Sequence, residues 1–169
     1  AAHKINSGLM PELPHIAAGR DIPQNQDFVF LEEADTDTVE EEIVRLCRET
    51  LPQSGYDVMR DVQVLSPMHR LSAGVDHLNI RLQEVLNPPS PGKPEYKNSV
   101  MTFRLGDKVM QMKNDYQKGV FNGDIGFICE MDQSCVTVEF ADECVAEYEA
   151  SELGELSLAY AMSVHKSQG

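Results

Sequence analysis

No run of apolar residues in this 169-residue sequence approaches the ~20 that a bilayer-spanning helix requires, and the opening AAHKINSGLMPELP lacks the basic-then-apolar layout of a secretory signal. A membrane-bound or exported product is therefore not expected, and a cytoplasmic location follows by default. Basic residues are scarce: 14 Lys and Arg stand against 28 Asp and Glu, for a net charge of −14. That balance has the wrong sign for a surface attracting nucleic-acid phosphates everywhere, so any such contact must be local. The four cysteines, Cys47, Cys129, Cys135 and Cys144, show neither CxxC spacing nor a paired His motif. This spacing excludes a zinc site, no metal is expected, and each cysteine reads as a reduced core thiol. Gly-x-x-x-x-Gly-Lys-Ser/Thr is also missing, the only Gly-Lys being Gly92-Lys93 before Pro94, so the sequence offers no cradle for nucleotide phosphates.

What is present suits a globular chain, with 41% hydrophobic and 25% charged residues, long enough for one core plus a small satellite domain. Asp27 to Leu31 reads as a strand, and Asp37-Thr-Val-Glu40 has capping-box character. Val39, Ile43, Leu46, Cys47 and Leu51 then recur at helical spacing until Pro52 stops the helix. Glu32, Glu33, Asp35, Asp37 and Glu40 to Glu42 fall on that helix and its approach, as a solvated outer face. Asp61 to Leu65 reads as a second strand ended by Ser66-Pro67, and Val75, Leu78, Leu82, Val85 and Leu86 mark a second helix ended by Asn87-Pro-Pro. Alternating strand and helix predict an α/β fold with a parallel sheet.

The pattern changes at NPPSPGKPEYKNS, where four prolines and a glycine break either period, and a domain boundary belongs there. Beyond it lie five short runs: Val100 to Arg104, Asp107 to Met112, Asp124 to Met131, Cys135 to Phe140 and Val145 to Ala150. They predict a small antiparallel β-barrel of SH3-like size, an insertion with its own core. The organisation expected is residues 1–98 and 152–169 as one parallel-sheet domain, interrupted by the barrel at 99–151. Val136 to Glu143 (VTVEFADE) imitates a nucleotide-site strand ending in Asp-Glu, but its alternation of Val136, Val138 and Phe140 with polar residues predicts a half-exposed antiparallel strand instead.

The richest string in chemical terms is Ala159-Tyr-Ala-Met-Ser-Val-His-Lys-Ser-Gln-Gly169. An apolar element delivers Ser163, His165, Lys166, Ser167, Gln168 and Gly169 within about one turn, a set of donors suited to phosphate oxygens. On donor types alone a polar loop after a core strand explains it equally well. Lys113, Asn114, Tyr116 and Lys118 form a basic and aromatic cluster in a barrel loop, suited to stacking a base beside a phosphate, although a solvated hairpin would look the same. His69 and Arg70 follow the second strand, where loop polarity alone accounts for them.

This last string resembles motif V of superfamily 1 helicases, A-x-[ST]-x-H-K-[SA]-Q-G, as found in RecD-type, Pif-type and relaxase-type motors. Asp61 to Arg70 (DVQVLSPMHR), Leu78 to Pro91 (LNIRLQEVLNPPSP) and Phe103 to Gly126 (FRLGDKVMQMKNDYQKGVFNGDIG) resemble the RecD-type branch more narrowly, and Ala2 to Asn6 is similar to its segment after motif IV. The resemblance implies a piece of a RecD-type DNA helicase, cut from between the motif IV and motif VI arginines: a partial RecA-like motor domain with an inserted SH3-like barrel. For the intact enzyme it implies ATP and Mg²⁺, translocation on single-stranded DNA from five-prime to three-prime, duplex unwinding in repair or recombination, a companion N-terminal motor domain and RecB/RecC-like subunits. Ser163, His165, Lys166, Arg70, Lys113, Asn114 and Tyr116 would contact DNA. Ser167, Gln168 and Gly169 would relay nucleotide state, and this stretch would hold no catalytic residue.

Two other readings stand beside it. A relaxase-type conjugation helicase would share motif V and a comparable barrel, and a non-enzymatic SH3-like module would use the barrel to bind a protein. Because the phosphate-holding Lys and Ser/Thr are missing, the chain alone is expected to hydrolyse no ATP with or without DNA; DNA-stimulated phosphate release by a clean preparation would contradict this.

Overall fold

In the computed structural model, which describes residues 2–10, 15–17, 28–33, 35–97, 101–132 and 134–168, alternation of apolar and polar residues gives way to two kinds of pairing. Helix α1 (Ala2–Asn6) precedes strands β1 (His15–Ala17) and β2 (Phe30–Glu32), which pair in parallel. The strand expected from Asp27 thus starts at Phe30, and Asp27 itself lies outside the described residues. Helix α2 (Thr36–Arg45) is capped by Asp35, not Asp37: the Asp35 carboxylate accepts the Thr38 N–H.

Pro52 does not stop this helix. The chain continues through a π-helical turn, Leu46–Thr50, into α3 (Leu51–Gln53). Proline lacks the N–H that an α-helix needs at that position and its ring crowds the preceding turn, and a wider turn just before it accommodates both. The π turn directs Cys47 into the core, where burial pushes its thiol up to about 11. Of the other cysteines, Cys135 and Cys144 are half-buried and Cys129 is exposed, so Cys47 is the core thiol among them.

The acidic face of α2 is also more than a solvated surface. Glu40 and Glu42 are buried, Glu40 receiving Arg81 at 2.7 Å and His77 at 3.0 Å, and Glu42 receiving Arg45 at 2.6 Å. A short helix, α4 (Val58–Asp61), capped by Asp57, replaces the first residues of the second expected strand, leaving β3 as Val64–Ser66. Helix α5 (Val75–Leu86) has the bounds its periodicity predicts and buries Leu78 and Leu82.

In the proline-rich segment, β4 (Glu95–Lys97) pairs antiparallel with β5 (Thr102–Arg104), setting Tyr96 opposite Phe103. Pairing becomes possible once Pro94, which has no N–H to donate, is passed. Strands β6 (Lys108–Gln111), β7 (Ile125–Met131), β8 (Cys135–Phe140), β9 (Val145–Glu149) and β10 (Leu156–Leu158) form one antiparallel sheet in the order β10-β6-β7-β8-β9. The sheet is a curled half-barrel with two edges rather than a closed barrel, and its fifth strand comes from the segment assigned to the return. Strand β8 is antiparallel to both neighbours with Val136, Val138 and Phe140 inward, as its alternation predicts. Finally β11 (Ala161–Ser163) pairs in parallel with β3, so the chain is mixed α/β with two parallel strand pairs and an SH3-like antiparallel sheet.

The curled sheet has no separate core. Leu78 and Leu82 of α5 pack in the same buried cluster as Phe103, Val109, Val138 and Tyr148. At its centre Asp107, 0% exposed, receives Gln83 at 2.6 Å, Asn87 at 2.7 Å, the Arg104 N–H at 2.7 Å and the Tyr160 hydroxyl at 2.8 Å. Burial still raises its carboxyl above the ordinary range, with the four donors opposing. Asp107→Asn replaces one acceptor oxygen with an NH₂ group and leaves donors facing donors, at a cost of about 1–3 kcal/mol per unsatisfied donor. Since the folded carboxyl sits above its unfolded value, Asp107 favours the native state most below the unfolded value and loses that contribution as pH rises through the folded one. The urea midpoint of Asp107→Asn is therefore expected to lie below wild type, with the gap widening as pH falls through that window. Equal midpoints at all pH values would refute the assignment.

Candidate nucleic-acid interface

The parallel register pairs Ser66 with Ser163, so the chain leaves β3 and β11 at the same edge. The loop carrying His69 and Arg70 and the segment carrying His165 and Lys166 consequently start side by side, at the carboxyl ends of parallel strands where α/β proteins commonly bind ligands. Side chains hold β11 in place. Asn79 donates to the Ala161 carbonyl and accepts the Ala161 N–H, both at 2.9 Å, and the Gln63 amide donates to the carbonyls of Ala159 and Tyr160. Asn79 was missed in the sequence, where the signal is a polar residue between Val75 and Leu82 on an otherwise apolar helix face.

The β3 loop is tightly wound. Ser66 donates to the Ala73 carbonyl at 2.7 Å, and Leu71, 69% exposed, sits in the left-handed region at φ 72°. Such a conformation is costly for a non-glycine residue and persists only where the surroundings impose it. Gly74 closes the loop and caps α5, and a Cβ there would lie 2.3 Å from the Arg70 carbonyl oxygen. Arg70 itself is exposed, as are His69 and His165.

Ser163, expected to touch DNA, is only 5% exposed, and its hydroxyl accepts the Lys166 N–H at 3.3 Å, shaping the turn from within. Ser167 is exposed and donates to the Val164 carbonyl at 2.8 Å. Gln168 ends the short 3₁₀ turn Lys166–Gln168, and Gly169 lies outside the described residues. The Lys166 ammonium donates at 2.6 Å to the side-chain oxygen of Asn122, in the β6–β7 connection. The Asn122 N–H in turn donates to the Asn114 side chain at 2.9 Å, and Asn114 approaches the Tyr116 hydroxyl at 3.5 Å.

The two clusters singled out in the sequence, more than forty residues apart, are therefore joined through Asn122. In the sequence Asn122-Gly123 has only the look of a turn between two strands. Tyr116 is 79% exposed and stands edge-on to Phe121, 5.8 Å between ring centres. Beside this junction an open groove of about 510 Å³ runs between α4, Phe127 and Lys166, with the Arg60 guanidinium 5.2 Å from the Phe127 ring centre.

The electrostatics separate the lysines. Lys113 pairs with Glu155 at 2.9 Å, which raises its pKa. Lys118 pairs with Glu152 at 2.9 Å and lies 4.3 Å from the Tyr148 ring centre, and the Glu152 carboxyl is lowered accordingly. Lys166 instead faces a neutral carboxamide and pairs with no carboxylate among the described residues. From Gly119 to Val164 the sequence contains no Lys, Arg or His at all.

Residues 78–140 match the family described as the SH3 domain of ATP-dependent RecD-like DNA helicases. Over 108 residues, 64% of the chain, the sequence is 42% identical to the ATP-dependent RecD2 DNA helicase of Deinococcus radiodurans, and it spans 14% of that protein's length. Among solved structures, the chain is similar to the Bacteroides Pif1 helicase in complex with ADP-AlF3 and ssDNA, with TM-score 0.47 and 17% identity over 79% of this chain and 37% of that one. Unliganded Pif1 from Bacteroides sp gives TM-score 0.42 and 17% identity over 99% and 81%.

Gly74→Ala tests the wound loop. The added methyl group meets backbone rather than a movable side chain, so a loss of about 1–3 kcal/mol is expected. An unchanged urea midpoint would show that the loop is not held as described.

Proposed function

We propose, on the premise that residues 78–140 belong to the SH3 domain family of ATP-dependent RecD-like DNA helicases, that this chain forms part of the single-strand grip of such a helicase. The observation that carries the proposal is the Lys166 ammonium, which forms no ion pair among the described residues and is joined through Asn122 to the loop bearing Tyr116. One phosphate of a single strand meets Lys166, with His165 and Arg70 exposed at the same edge to meet its neighbours. A base stacks on Tyr116, which is 79% exposed; stacking tolerates any sequence because every base has a π-face. Lys113 and Lys118 hold the loop to Glu155 and Glu152 and contribute little to phosphate binding.

The sequence contains no Gly-x-x-x-x-Gly-Lys-Ser/Thr, so in this proposal ATP and Mg²⁺ belong to another part of the motor and no step of hydrolysis is derived from these residues. Movement from five-prime to three-prime, and the use of this grip in unwinding duplex, belong to the same proposal at the level of the whole enzyme. Relay of nucleotide state through Ser167, Gln168 and Gly169, which follow Lys166 directly in the sequence, is part of the same proposal.

With about two to four phosphates in contact, the slope of log affinity against log salt for single-stranded DNA is expected to be near −1.4 to −2.8. Lys166→Ala should reduce its magnitude by about 0.7. Glu41→Gln, on the exposed side of α2, should leave it unchanged. A Lys166→Ala protein that binds with unaltered affinity and slope removes this residue from the strand's path.

A further inference from the structure

Asn122 lies near the β7 end of the β6–β7 connection, after the Asp115–Val120 bridge that closes its hairpin, and the backbone on both sides of it is held. Its N–H donates to Asn114, the following Gly123 N–H donates to the Gln111 carbonyl at 2.9 Å, and the Asp124 carboxylate accepts the Phe121 N–H at 2.8 Å. Gly123 has φ 103°, a conformation that a residue with a Cβ enters only under strain. The carboxamide oxygen is thus presented to Lys166 from a turn with one shape. A lysine ammonium is otherwise a mobile point charge on a flexible stem.

The partner's neutrality matters as much as its position. Within the same loop Lys113 and Lys118 face carboxylates, which fix each lysine and also cancel its charge. Lys166 is fixed by an oxygen that leaves the charge intact. We infer that Asn122 is a positioning residue, which aims Lys166 at a strand phosphate before the strand arrives and makes the β6–β7 turn and the segment after β11 a single binding unit; this rests on the assignment of Lys166 to phosphate. The ligand class is the phosphodiester backbone of a single strand, read without regard to sequence.

The test is a fluorescence-anisotropy titration of the 169-residue chain with labelled oligothymidine over a range of salt, using Asn122→Ala, Asn122→Asp, Lys166→Ala and the Asn122→Ala/Lys166→Ala double variant. Asn122→Ala keeps the charge but frees it, so binding should weaken about fivefold, as for loss of one hydrogen bond, with the salt slope unchanged. Asn122→Asp keeps the geometry but supplies a competing carboxylate, and should reduce the slope's magnitude by about 0.7. Being nearly isosteric, it also controls for damage to the turn. In the Lys166→Ala background, Asn122→Ala should have no further effect, because the two residues act through one contact.

If Asn122→Ala weakens binding equally in both backgrounds, or Asn122→Asp matches wild type, the positioning role is wrong while the assignment of Lys166 stands. If Lys166→Ala changes neither affinity nor slope, the phosphate assignment fails and the positioning role fails with it.

Discussion

A carboxylate buried with only neutral partners is among the most demanding groups a small protein can contain, because removing its charge from water costs several kcal/mol unless hydrogen bonds replace the solvent. Asp107 meets that demand with donors from three parts of the chain: Gln83 on α5 and Asn87 at its C-cap, the Arg104 N–H at the end of β5, and Tyr160 just ahead of β11. None of these segments can shift without leaving the charge short of a donor. The helix, the curled sheet and the parallel pair are therefore committed to one mutual arrangement, and the shared cluster of Leu78, Leu82, Phe103 and Tyr148 fills the space between them. A cut removing Phe103 to Ala150 would take Asp107 away from Gln83, Asn87 and Tyr160, so the inserted segment is not separable in the way its sequence boundaries imply.

From this arrangement the candidate interface follows by short steps. Tyr160, fixed at the hub, directly precedes β11, and Asn79 on the same helix as Gln83 bonds both backbone groups of Ala161. Three residues of strand then carry the chain to Ser163, whose buried hydroxyl shapes the turn presenting Lys166. The curled sheet meets that turn from the other side through Asn122. In a chain of net charge −14 this economy is consistent with the electrostatics: binding by a diffuse field is closed to it, and a few placed cations are what remain.

Much of this was readable from the residues. The bounds of α5, the order of strands β5 to β9, and the antiparallel character of Val136 to Phe140 follow from periodicity, since each buries one face. What escaped has identifiable causes. The passage of the helix through Pro52 depends on a π turn that no apolar spacing announces. Glu40 and Glu42 point inward because Arg81 and Arg45 wait for them, and a charge reads as solvent-facing until its partner is known. Strands β4 and β10 are three residues long, too short to show alternation, and exist because a neighbouring strand offers an edge. Asn122 looks like any hairpin asparagine, its chemistry lying in a contact 44 positions away.

The brevity of β11 has a mechanical consequence. A pull on any ligand held at Lys166 would enter the protein through a three-residue strand whose backbone pairing with β3 is correspondingly slight. Two other routes share the force. One runs through the Asn79 amide into the long axis of α5, the other through Asn122 into the curled sheet, and both converge on Asp107. Tension at the surface is thus spread over a triangulated frame instead of peeling one short strand from its neighbour, and the stiffness of that frame depends on side-chain amides more than on sheet hydrogen bonds.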